Sequence, residues 1–67
     1  MLAEQCLRMV LEKIGDRIKY SELLQKTRIP KIQLDIYISE LERRGMIRKY
    51  VEKTPGRPVT IIEVVRE

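Results

Sequence analysis

Between Ser21 and Ile47 the chain reads SELLQKTRIPKIQLDIYISELERRGMI: a short apolar segment, a break at Thr27-Arg28-Ile29-Pro30, and a longer amphipathic segment that stops at Gly45. Pro30 disfavours helical geometry at Ile29 yet suits the first turn of a new helix, so the two segments cannot be one continuous rod. The first reads as a helix from Glu22 to about Lys26, with Ser21 as its N-cap, Glu22 at its positive end, and Leu23, with Leu24 beside it, turned inward. The second runs from Pro30 to Arg44, where Leu34, Ile38 and Leu41 share one face at about 100° per residue and Tyr37 flanks them.

Upstream, Ala3, Leu7, Val10, Leu11 and Ile14 recur with the helical period and give a first helix over Ala3–Ile14, closed by Gly15-Asp16. Ile18-Lys19-Tyr20 alternates as a short strand does. Downstream, Ile47–Glu52 and Val59–Val65 read as two apolar strands around Thr54-Pro55-Gly56-Arg57. Pro then Gly is the favoured central pair of a type II turn, although that turn fits a two-residue hairpin poorly and a longer loop stays open as an alternative. Three helices of this size leave a core open on one side, and the apolar side of the hairpin is expected to close it. The chain of 67 residues is one α+β domain, near the lower limit for a core that folds without staples.

Several chemistries are excluded by what the chain lacks. It has no histidine, so neither a Ser-His-Asp nor a Cys-His arrangement can form. Its one cysteine, Cys6, makes no internal disulfide, and with scattered carboxylates it makes no metal site. No glycine-rich phosphate loop is present. No enzymatic activity, no metal and no cofactor are therefore expected. There is no apolar run of roughly 20 residues and no basic-apolar-small leader pattern, which leads us to expect no membrane partner and a cytoplasmic setting. The net charge is +4, and from Arg43 to Pro58 six cations (Arg43, Arg44, Arg48, Lys49, Lys53, Arg57) stand against one acid, Glu52. That segment carries +5, leaving −1 for the rest, so the cationic character sits on the end of the third helix and the hairpin and favours a polyanionic partner.

Taken together, this layout resembles the winged helix-turn-helix family of bacterial and archaeal transcription regulators. Leu23-Leu24 stands for the apolar pair of the positioning helix, Arg28-Ile29-Pro30 for the turn, and Leu34, Ile38 and Leu41 for the core of the recognition helix. Leu41-Glu42-Arg43-Arg44-Gly45-Met46-Ile47 matches the helix-exit pattern Leu-Glu-x-x-Gly-Leu-Ile, and Gly56-Arg57-Pro58 looks like the wing. The resemblance covers nearly the whole chain. It implies three helices with a C-terminal β-hairpin wing, and a duplex DNA-binding protein active in transcription regulation.

On that reading helix 30–44 enters the major groove by its N-terminal half, where Lys31 and Gln33 have base-reading chemistry. Ser21, Lys26 and Arg28 anchor phosphates, Arg43 adds charge at the helix exit, and Lys53 and Arg57 in wing 53–58 reach a backbone or a minor groove. The chain departs from the family twice. Arg28 stands where the family usually has glycine, which opens that turn to a different geometry. The outer face of the third helix carries Ile32, Asp35, Ile36, Ser39, Glu40 and Arg43, and its two acids would repel nearby phosphates. Leu2, Met9, Ile32 and Ile36 fit none of the core stripes and suggest a protein contact. A homodimer through helix one is one such arrangement, with monomer and dimer both open. The alternative reading is a winged-helix protein–protein interaction domain of a larger replication or membrane-remodelling assembly.

Overall fold

The computed structural model describes residues 3–66, so Leu2, one of the apolar residues outside the core stripes, lies outside the described residues. Helix α1 (Glu4–Ile14) buries Leu7, Val10 and Ile14 along one side, and Gly15, at φ 68°, ends it by donating its N–H to the Leu11 carbonyl at 3.2 Å. Ala3 caps the helix rather than joining it. Met9, which the spacing leaves outside the core stripe, is half-buried against the core.

Strand β1 (Arg17–Lys19) runs straight into α2 (Tyr20–Thr27). Lys19 must stay extended to pair with Ile61, so the change to helical backbone falls between Lys19 and Tyr20. Ser21 therefore sits inside the first turn and not at the N-cap, where Lys19 makes no side-chain cap bond. At the other end of α2, the Thr27 hydroxyl donates to the Leu23 carbonyl at 2.8 Å and accepts the Ile29 N–H at 3.4 Å. Arg28 then takes φ 55° and ψ 23°, its N–H bonded to the Leu24 carbonyl at 2.9 Å. The turn thus keeps the left-handed geometry that glycine adopts freely, with an arginine bearing the strain.

Helix α3 (Lys31–Arg43) starts on Pro30 and buries Leu34, Tyr37, Ile38 and Leu41. It closes through paired bonds from Met46 N–H to Leu41 O and from Gly45 N–H to Glu42 O, each 3.0 Å, with Gly45 at φ 74°. This is the Schellman arrangement, in which a left-handed residue satisfies the last free carbonyls. Two substitutions test these conformations with opposite sign. Arg28→Gly is expected to raise stability by about 0.5–1 kcal/mol, the relieved strain outweighing glycine's added chain entropy. Gly45→Ala, which meets no atom within 4 Å but keeps the positive φ, is expected to lower it by about 1 kcal/mol. Urea unfolding measures both.

Strands β2 (Ile47–Glu52) and β3 (Val59–Val64) form the hairpin, but the sheet has three strands in the order β1-β3-β2, all antiparallel. Ile62 pairs with Ile18 on one side and Lys49 on the other, and Ile18, Ile47 and Ile62 join the helices in one core. The apolar side of the hairpin does close the helical body. The final strand stops at Val64, and Val65 instead donates its N–H to Met46 O at 2.9 Å. The expected type II turn does not form, because Gly56 lacks the positive φ its third position requires. Residues 53–58 make a longer loop, held by the Thr54 hydroxyl donating to the Arg57 carbonyl at 2.6 Å.

Away from the hairpin, Glu40 ties the ends of two helices together. Its carboxylate accepts from Arg43 at 2.6 Å and from Arg44 at 2.7 Å, and Arg44 also reaches Glu4 at the start of α1 at 2.9 Å. The hydrogen bonds from these guanidinium groups hold Glu40 at about 2, against an ordinary 4.5. A depressed carboxylate stabilises fully above pH 4.5 and loses that contribution as pH falls from there towards 2. Glu40→Gln is accordingly expected to flatten the fall in stability across that window, read from thermal midpoints at successive pH values.

Candidate nucleic-acid interface

Ion pairing sorts the cations into two groups. Arg17, Arg43, Arg44, Arg48 and Arg66 each hold a carboxylate, at Glu52, Glu40, Glu40 with Glu4, Glu63 and Asp16 respectively. Lys26, Arg28, Lys31, Lys49, Lys53 and Arg57 make no ion pair among the described residues. Arg8, Lys13 and Lys19 make none either, but they lie on α1 and β1. The free charge is thus concentrated on the α2–α3 turn, the first turn of α3 and the hairpin.

The α2–α3 turn sets Lys26 in the last turn of α2 and Arg28 in the left-handed position, both exposed, while Ile29, which follows Arg28, packs on the core. Ser21 is exposed in the first turn of α2. Pro30 leaves the first N–H groups of α3 without a side-chain cap, and no acid lies in the helix's first turn. Lys31 stands there instead, so the positive helix end and a lysine charge reinforce each other.

Between α3 and the hairpin lies an open cleft of about 390 Å³, lined by Tyr20, Lys31, Asp35, Ser39, Lys49, Tyr50, Val51 and Thr60. Lys49 was not among the site residues expected from sequence. The signal for it was present, since Ile47, Lys49 and Val51 alternate onto the sheet face that meets the helices, and Ile47 anchors that face in the core. Asp35, which sequence placed as a source of phosphate repulsion, accepts a hydrogen bond from the Tyr20 hydroxyl. Burial, and then this bond to a carboxylate, push the Tyr20 phenol up to about 12. The acid is thereby occupied by a neighbour from α2.

Gln33 is exposed and donates one amide hydrogen to the Tyr37 hydroxyl at 2.9 Å, which leaves its other N–H and its carbonyl free. Arg43 lies about 18 Å along the α3 axis from Lys31, by the rise of a helix, with its guanidinium on Glu40. It is apart from the other expected site residues. Lys53 and Arg57 are exposed in loop 53–58. Ile32 and Ile36 stand on the outer face of α3, 80% and 49% exposed. Among the described residues, no helix is long and apolar enough to cross a membrane.

No model of a known family matches the chain, and no curated protein does. Among solved structures it is similar to a transcriptional regulator homologue protein from Pyrococcus horikoshii OT3, with a TM-score of 0.71 over 91% of this chain and 23% identity. The match spans 58% of that protein's chain. At this identity the likeness establishes architecture: three helices and a three-stranded antiparallel sheet in an α+β fold of the winged-helix type.

Proposed function

We propose that this chain is a cytoplasmic duplex DNA-binding protein that acts as a transcriptional regulator by occupying a site, without chemistry of its own. The observation that carries the reading is the segregation of charge. Of the nine cations that make no ion pair among the described residues, six (Lys26, Arg28, Lys31, Lys49, Lys53 and Arg57) lie on the α2–α3 turn, the start of α3 and the hairpin. The likeness to a regulator homologue supports the same reading.

In this mechanism the N-terminal half of α3 enters the major groove. Lys31 meets a phosphate or a guanine edge, and Gln33 offers an adenine its free N–H and carbonyl. Ser21, Lys26 and Arg28 hold the backbone on one side, and Lys49, Lys53 and Arg57 hold it on the other. With Asp35 held by Tyr20, the acid does not stand free in the cleft. Five or six phosphate contacts give log affinity a slope of about −4.5 to −5.4 against log salt, at about −0.9 per contact. Titration of a labelled duplex at several salt concentrations measures it, and a slope near zero rejects the reading.

The exposure of Ile32 and Ile36 favours a second reading, a winged-helix module that docks on a protein. Ile32→Ser with Ile36→Ser separates the two: salt-dependent binding to random duplex persists under the first reading, whereas under the second the module's protein contact is lost.

A further inference from the structure

We infer that strand β2 is an interface for a second copy of this chain, joined edge to edge in antiparallel sense about Tyr50. β2 pairs with β3 on one side, and no described strand pairs with its other edge. The backbone N–H and C=O groups along that edge are a template for another strand. Neither proline nor bulge blunts it, the register with β3 being one to one from Ile47 to Glu52, and only the charges of Arg48, Lys49 and Glu52 restrict which strand can join. Val51 is 61% exposed there, and an open cleft of about 720 Å³ borders the strand, lined in part by Gly45, Ile47, Lys49 and Tyr50.

The order of side chains along β2 selects the occupant. Residues directly opposite across an antiparallel pair share a face and interact. A two-fold axis through Tyr50 sets Arg48 opposite Glu52 of the second copy, Glu52 opposite Arg48 of the second copy, and Tyr50 opposite its own equivalent. Lys49 then faces Val51 of the second copy. Centring the pair on Arg48, Lys49 or Glu52 would instead oppose like charges. The outer sheet face is already prepared for the first register. Arg17, Glu63 and Arg48 lie side by side across three strands, and Glu52 of the second copy continues the alternation of sign as a fourth member. Loop 53–58, with Lys53 and Arg57, lies beyond the joined stretch, whereas Lys49, one of the cations assigned to the DNA backbone, lies within it.

An interface of one strand pair belongs to the weak, transient class, so it is sought by sedimentation equilibrium at roughly 0.1–1 mM. The expected result is a mass rising from 8.0 kDa towards twice that value with concentration. Glu52→Arg, which faces arginine with arginine twice in the pair, is expected to weaken association about tenfold. Register is read separately by cross-linking in a Cys6→Ser background. Opposed residues have Cα atoms about 4.5–5.5 Å apart, within disulfide reach, so Tyr50→Cys is expected to give a linked dimer on oxidation. Lys49→Cys and Val51→Cys, each offset from its equivalent by two positions, are expected to link far less. A mass that stays at the monomer value throughout, or linking at positions 49 and 51 as readily as at 50, overturns the inference.

Discussion

Leu34→Ala is expected to leave the chain largely unfolded at 25 °C. Leu34 is completely buried in the middle of the core, one turn inside the start of α3. Removing such a side chain costs about 3–5 kcal/mol, the lost transfer energy plus a cavity that neighbours fill incompletely. A domain of this size without disulfide or metal rarely holds more than about 3–5 kcal/mol in total. Circular dichroism in a urea titration should show little or no folded baseline for the variant. Leu34→Met, which conserves volume, should cost under about 1.5 kcal/mol and keep the cooperative transition. Failure of the alanine variant to lose stability would mean that α3 is held by something other than this core.

Lys53→Glu combined with Arg57→Glu is expected to reduce duplex affinity by at least about 60-fold at 0.1 M salt. Each phosphate contact contributes close to 0.9 of a decade at that concentration, and reversal adds repulsion to the loss of two contacts. The salt slope should fall in magnitude by about 1.8. Both residues are exposed on loop 53–58 and make no ion pair among the described residues, so thermal stability should change little. Unchanged affinity with a folded variant would remove the hairpin loop from the binding face.

The elements themselves were legible because their signals are local. Leu34, Ile38 and Leu41 announce a buried helical face by spacing alone, and Gly45 marks its end by the one conformation its successor bonds demand. Ile18 between two polar neighbours announced a strand, though not its partner, since pairing with Ile62 bridges most of the chain. What sequence missed was decided by longer-range contacts or by competition. Ser21 is a good cap by type, but the strand before it keeps Lys19 extended, and the helix starts at Tyr20, two residues earlier than that cap implies. Pro55-Gly56 has the composition of a tight turn, yet the loop it occupies is spanned by the Thr54 side chain instead. Arg28 carries no sign of a left-handed backbone, because the bonds from Thr27 and the start of α3 impose it. In the candidate interface, the cations were readable as a list but not their sorting into countered and free. Glu40 and Arg43 are neighbours on a helix, whereas Tyr20 with Asp35 and Arg48 with Glu63 meet only after folding.

The central place of β3 bears on how this protein is made. Residues 59–64 fill the gap between a strand near the beginning of the chain and the one that precedes them, pairing Arg17 with Glu63 and Ile47 with Val64. Until that segment has left the ribosome, neither flanking strand has its neighbour and Ile62 is missing from the interior. The domain therefore completes its fold in one late step, once residues 59–64 are free to pair, rather than growing turn by turn from its first helix.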